Sequence, residues 1–168
     1  DGMDLVKKKV RSLSVMAGAF QTTADDNYKI EYNIKHDIPA AIQLAAEWPT
    51  PIMWSGFEIG LAVLFPATSV SHDFNWVAHH PVQEAYQLYK PTPHERPTWD
   101  LMSVLYAVYP ERGYFSASRP GRVTILADGY SRFTPMKDGR DRFMIISETQ
   151  RHALRSLFAA LVTEPTPR

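Results

Sequence analysis

The chain has 168 residues, of which 45% are hydrophobic and 21% charged, the size and composition of one globular domain or a large part of one, long enough to bury a core. Eighteen basic residues balance eighteen acidic ones for a formal net charge of zero, so no basic footprint points to a nucleic acid, and no basic amphipathic stretch points to a membrane surface. The absence of cysteine excludes disulfides, thiolate metal sites and a Cys nucleophile, and no apolar run reaches the roughly 18 residues of a membrane span.

In chain order, the segment Asp1 to Val10 is charged and has no apolar core of the signal-peptide kind. Its basic run Lys7-Lys8-Lys9, followed by Arg11, reads as a solvated helix end or strand entrance. Val10 to Phe20, VRSLSVMAGAF, is alternating and then continuously apolar, which predicts a buried strand running into a loop at Gly18. A chain that opens Asp-Gly-Met and passes at once into an interior strand leads to the expectation that more of the same domain lies upstream. Residues 21–33 are polar and rich in turn formers, and predict a loop just past a strand's C-terminal end, where open α/β sheets bind ligands.

Asp37 is the expected N-cap of a helix carrying Pro39 in its first turn, ended by Pro49 and Pro51. Ile52-Met53-Trp54 predicts the next strand, Ser55-Gly56 a turn, and Phe57 to Leu64 a short helix. This succession is the signature of a parallel sheet built from βαβ units. His79 to Tyr89 carries apolar residues at Val82, Ala85, Tyr86 and Tyr89, the spacing of an amphipathic helix. The proline-rich stretch 90–97 is a loop, and Thr98 is the expected N-cap of an apolar helix over Trp99 to Val108. From Gly113 onward, short segments separated by Gly, Pro and Asp predict an antiparallel meander or two hairpins, with Asp128-Gly129 at a turn. Ser147 to Val162 is a helix with a capping box from Ser147 to Gln150 and with Leu154, Leu157, Phe158 and Leu161 on one face. The expected fold is therefore α/β, a mostly parallel sheet flanked by helices, with a C-terminal antiparallel hairpin region and a last helix.

Three groups of residues could carry chemistry. In the loop after the first strand, Asp26-Asn27 precede Glu31-Tyr32-Asn33. On an extended segment Glu31 and Asn33 share one side, and a carboxylate and an amide so placed suit vicinal sugar hydroxyls, while plain loop solvation accounts for the same residues. Asp100 stands in the first turn of the apolar helix, either as a helix-dipole carboxylate or as an oxygen ligand to a hard cation, and Trp99 beside it either stacks on a ligand or fills core space. The segment Trp54 to Gly60, with two glycines, implies close backbone approach. No dinucleotide fingerprint, P-loop, HExxH or GxSxG pattern occurs, and the histidines are scattered.

Taken in order, VRSLSVMAGAF, EYNIKHDIPAA, WPTPIMWSGFEIG and RPTWDLMSVLYAV resemble the C-terminal half of inosine-uridine-preferring nucleoside hydrolases over about residues 5–110, and the hairpins and last helix are compatible with that family. The resemblance implies that residues 1–168 are the C-terminal portion of one such domain, acting on a nucleoside as substrate and hydrolysing its N-glycosidic bond with a calcium-bound water. It implies that Glu31 and Asn33 hold the ribose, that Asn27 is a further ribose contact, that Trp99 faces the substrate, and that Asp100 is a calcium ligand. Two departures qualify it. The family's N-terminal cluster of the form DxDxxxDD, which holds most of the calcium and supplies the general base, is not in this sequence, so this piece alone is expected to be inactive. Trp99 also stands where many members carry a His that protonates the leaving base. The alternative reading is a non-catalytic sugar-binding or structural module derived from that fold. Either way, a partial parallel sheet is expected to form a homo-oligomer or to pair with the upstream half.

Overall fold

The computed structural model of the protein describes residues 2–21 and 30–165. The elements follow in the order α1 (Gly2–Lys9), β1 (Leu13–Met16), α2 (Tyr32–His36), α3 (Ile38–Glu47), β2 (Ile52–Ser55), α4 (Phe57–Ala62), β3 (Leu64–Phe65), α5 (Ala67–His72), α6 (Pro81–Tyr89), β4 (Arg96–Pro97), α7 (Trp99–Val108), β5 (Ser116–Ala117), β6 (Gly121–Ile125), β7 (Ser131–Pro135), β8 (Asp141–Ile145) and α8 (Glu148–Thr163).

The α/β architecture is as expected. β1 and β2 pair in parallel with Leu13 opposite Ile52 and Met16 opposite Ser55. The hairpin region is joined to them rather than set apart. β8 lies parallel to β2, with Ile52 opposite Asp141, and antiparallel to β6 at Gly121. The described residues thus form a six-stranded mixed sheet in the order β1-β2-β8-β6-β7, with β5 also on β8, beside a separate antiparallel pair of β3 and β4. The strand that comes last in sequence sits in the middle of the sheet. Buried Asp141 holds it there, its carboxylate accepting from the Val123 amide at 2.7 Å and from Arg140 Nε at 3.2 Å.

Each face of the sheet has its own core. Met53, Phe65, Phe74, Met102, Met144, Leu154 and Phe158 are buried with α7 and α8 on one side. Ile52, Trp54, Val123 and Ile125 pack with Ile34 and Ala45 of α2 and α3 on the other. β2 is buried throughout, as a strand covered on both faces must be. β1 is only partly buried, against expectation, because among the described residues it has a paired neighbour on one side alone.

Local chemistry accounts for most element ends. Asp37 caps α3 through a bond from the Ala40 amide, and Ser147 and Gln150 form the reciprocal capping box of α8. Asp128-Gly129 turns the β6–β7 hairpin with Gly129 at φ +88°. Four expectations are corrected. The first residues are not a lead-in to a strand that starts at Val10: they form α1, with Asp4 near its N-terminus and Lys7 to Lys9 in its last turn, each complementing the helix dipole. Tyr32 and Asn33 are helical rather than extended, because Glu31 caps α2. Thr98 precedes α7 but its hydroxyl donates to the Val63 carbonyl at 2.8 Å, so it gives the helix no side-chain cap. Leu161 is 45% exposed, while Leu154 and Phe158 alone on α8 are fully buried.

Candidate active site

The parallel strands β1 and β2 end side by side, and the backbone beyond β1 is held at every step. The Gly18 amide donates to Glu31 Oε2 at 3.3 Å, and the Gly18 carbonyl accepts from the Phe57 amide at 2.8 Å. Ser131 on β7 bonds Ala19 twice, accepting from its amide at 2.9 Å and donating to its carbonyl at 2.8 Å. The Phe20 amide donates to Glu58 Oε1 at 3.2 Å. Gly18 itself is at φ +80°, a conformation that a side chain would strain.

Glu31 is 3% exposed, yet its carboxylate is well served. Oε1 accepts from the Asn33 amide at 2.9 Å, and Oε2 accepts from the Ile34 amide at 3.1 Å as well as from Gly18. These three bonds leave room for about one more donor on a group with roughly four acceptor positions. Asn33 reaches the same strand end: its Nδ2 donates to the Met16 carbonyl at 3.1 Å. The two residues therefore do lie together at the end of β1, through a helix cap rather than through strand alternation. Asn27, with Asp25 and Asp26, lies outside the described residues.

Trp99 joins the same neighbourhood from 42 residues further along the chain. Its Nε1 donates to the Phe57 carbonyl at 3.0 Å, and its ring stacks on Phe57 at 5.7 Å between centroids. Gly60 permits this: a Cβ there would stand 2.4 Å from the Trp99 Cα. The close approach foreseen around the two glycines is thus between α4 and α7. Asp100, the next residue, is exposed at the start of α7 and lines a groove of about 310 Å³ with Phe65, Tyr86, Arg96 and Trp99. Arg96 lies 3.8 Å over the Tyr89 ring. Asp100 offers a hard oxygen donor suited to a calcium shell, but six to eight such donors are needed. Among the described residues no group of three or more His, Cys, Asp or Glu side chains is placed to hold a metal ion.

One residue of the site escaped the sequence reading. Glu58 is 9% exposed, and among the described residues its Oε2 has no hydrogen-bond partner. Burial pushes its carboxyl up to about 7, opposed by bonds from its own amide and those of Phe20 and Gln21. Gly56 makes room for it, since a Cβ there would fall 2.4 Å from Glu58 Oε1. Two further buried polar atoms on this short stretch, Trp54 Nε1 and Ser55 Oγ, are also without partners among the described residues. The available signal was an acid inside the apolar run Gly56-Phe57-Glu58-Ile59-Gly60. Nothing in the sequence singled out Ser131.

No family model matches the sequence, and no curated protein matches it. Among solved structures, the chain is similar to a plant nucleoside hydrolase, with 18% identity and a TM-score of 0.64 over 92% of this chain and 54% of that one. It is similar to an inosine-guanosine nucleoside hydrolase at 16% identity and a TM-score of 0.63, over 92% of this chain and 55% of that one. The fold is that of the nucleoside hydrolases, in part: the chain spans about half the length of the structures it matches.

Proposed function

We propose that this chain is the C-terminal portion, residues 1–168, of a nucleoside hydrolase domain that splits a ribonucleoside into ribose and free base. One observation carries the reading. A continuous chain of contacts runs from Glu31 through Gly18 and Phe57 to Trp99, gathering three separate candidate segments at the C-terminal ends of β1 and β2. That is where a sheet of this kind binds its ligand. The fold shared with two nucleoside hydrolases supports the substrate class.

In this reading the remaining acceptor position on Glu31 takes a ribose hydroxyl and the Asn33 amide oxygen takes another. A buried carboxylate beside the sugar also stabilises the positive charge that develops as the glycosidic bond breaks. Trp99, fixed by its bond to Phe57, presents a ring face for the substrate. Asn27 is a further ribose contact. Asp100 is one ligand to a calcium ion, with the remaining protein ligands and the general base contributed from outside the described residues. Bound there, calcium would supply an anchor for ribose hydroxyls and a more acidic water. The protein would then work either as a larger chain or assembled with the other half.

A second reading, a sugar-binding or structural module without catalysis, draws on Trp99. The same ring that suits stacking offers no proton to a departing base. Titration of the full protein with ribose in calcium-containing buffer, beside an assay of base release from inosine, guanosine and uridine, separates the two. Ribose binding with release of base supports the hydrolase. Ribose binding without release supports the module. Neither binding nor release, with Asp100→Ala indistinguishable from the parent, rejects both.

A further inference from the structure

The groove between α6 and α7 has an aromatic wall and two opposite charges. Phe65, Val82, Tyr86 and Trp99 make it apolar, and Arg96 and Asp100, four residues apart in the chain, line it as well. Its volume of about 310 Å³ is at the small end for ligand sites, enough for one compact ring system. The wall is supported by its neighbours. Tyr86 meets Phe65 at 5.9 Å between ring centroids and is stacked with His94 at 5.5 Å. The Arg96 backbone is fixed in β4, where it pairs with Phe65 of β3. Its guanidinium carbon lies 3.8 Å over the Tyr89 ring. Its charge also reaches the Tyr86 phenol, which burial pushes up and Arg96 draws down. Stacking occupies a face of the guanidinium plane and leaves its edge, where the N–H donors are, unused. Among the described residues no carboxylate forms an ion pair with Arg96 and no group accepts a hydrogen bond from its guanidinium, while the adjacent Glu95 is paired with Arg155. A groove of this size thus presents a flat apolar wall and a fixed, unengaged row of donors.

We propose that Arg96 is a specificity-determining residue, whose guanidinium edge selects a 6-oxopurine in this groove by donating to O6 and N7 of the base together. The proposal deepens the nucleoside-hydrolase reading and rests on it for the sugar end, where Asp100 would hold calcium. With the sugar at Asp100, the same groove supplies the aromatic wall and the cation for the base. A guanidinium matches the O6 and N7 acceptors of a 6-oxopurine with two parallel bonds. Adenine keeps N7 as an acceptor but places an amino donor where O6 would be, so one N–H of Arg96 is set against another donor. Lysine would supply the charge at a single point, without the two-pronged edge. Tyr86 and Trp99 do not distinguish the two purines, because stacking reads the ring face and not its substituents.

The test is calorimetric titration of the full chain with hypoxanthine and with adenine, in the parent protein, in Arg96→Met and in Arg96→Lys. In the parent, hypoxanthine binds about ten- to a hundredfold more tightly than adenine, the discrimination expected of one bidentate arginine contact. In Arg96→Met the two bases bind equally and adenine binding is little changed, while Arg96→Lys recovers only part of the preference. An arginine that merely supports Tyr89 and β4 would, when replaced, weaken both bases alike and lower the melting temperature. Equal binding of the two bases by the parent, binding of neither, or a preference that survives in Arg96→Met overturns the proposal. Should Arg96→Met fail to fold, unsubstituted purine titrated into the parent decides. Purine keeps N7 and lacks O6, so it must bind about tenfold or more weakly than hypoxanthine, and equal binding overturns the proposal. The hydrolase reading falls separately. Base released in calcium at equal rates from inosine and adenosine leaves that reading standing and overturns the role of Arg96. A preference for hypoxanthine that Arg96→Met abolishes, with no base released from any nucleoside, supports the role of Arg96, and it is the reading as a hydrolase that falls.

Discussion

Glu31 and Glu58 are buried carboxyls that hold the backbone after β1 two residues apart, at Gly18 and Phe20, and their environments differ. Glu31 meets three amide donors, and Glu58 keeps one bare oxygen. Replacing Glu31 with Gln puts an NH₂ group against backbone N–H donors. A loss of about 2 kcal/mol in stability is expected by chemical denaturation, with weaker ribose binding in calorimetry. For Glu58 the folded-state pKa, about 7, lies above the ordinary 4.5. The folded protein holds this proton more tightly than the unfolded chain. The resulting stability is fully present below about pH 4.5 and is lost as pH rises through 7, a change of up to about 3 kcal/mol. Glu58→Gln is therefore expected to flatten the pH dependence of unfolding across this window and to be the more stable protein above pH 7. Denaturant titrations at pH 5 and pH 8 check it. A parent-to-variant difference that does not change between those two pH values would contradict it. At this scale the sequence was partly readable. Glu31 and Asn33 meet at the end of β1 and Trp99 is linked to them only through Phe57 and Gly18, by a helix cap and by bonds across 13 to 42 residues, which spacing along a strand does not convey.

Elements were readable where their signals are local. The cap at Asp37, the capping box of α8 and the Asp128-Gly129 turn are short-range chemistry and stand where expected. The missed α1 buries none of its residues, so it carries no apolar stripe to announce it. The position of β8 was also hidden. It follows an antiparallel hairpin in sequence but pairs in parallel with β2, nearly ninety positions earlier in register, and only the buried Asp141 and its partners mark the junction. Contact between α4 and α7 depends on Gly60, where a Cβ would meet Trp99 backbone that cannot rotate away. Gly60→Ala is expected to cost about 2 kcal/mol or more in thermal unfolding and to disturb the Trp99–Phe57 pair. An unchanged tryptophan fluorescence spectrum and melting temperature would show that α7 is not fixed there. Ser147→Ala, which removes only a cap, is expected to cost about 1 kcal/mol.

For the whole molecule, the sheet has an open side at β1 among the described residues, and the neighbouring face of α7 shows Val104 and Val108 exposed at 58% and 59%. Strand edges with apolar flanks invite pairing. The chain taken by itself is expected to associate, and a monodisperse monomer in light scattering would contradict this. The partial nucleoside-hydrolase fold gives that open side its interest, because the matched structures are nearly twice as long. The fold class was readable because four ordered segments each carried part of it. A calcium site, as proposed at Asp100, is not legible in the same way, since among the described residues Asp100 has no companion carboxylates to complete a shell. The central claim is tested most directly by base release from inosine and uridine by the full protein in calcium, with Asp100→Ala measured alongside. The account predicts release of free base, a loss of at least a hundredfold in Asp100→Ala, on the scale of removing one preorganised electrostatic contact from an active site, and tightening of calcium binding by ribose. Base release that Asp100→Ala leaves unchanged, or none from any nucleoside, would contradict it.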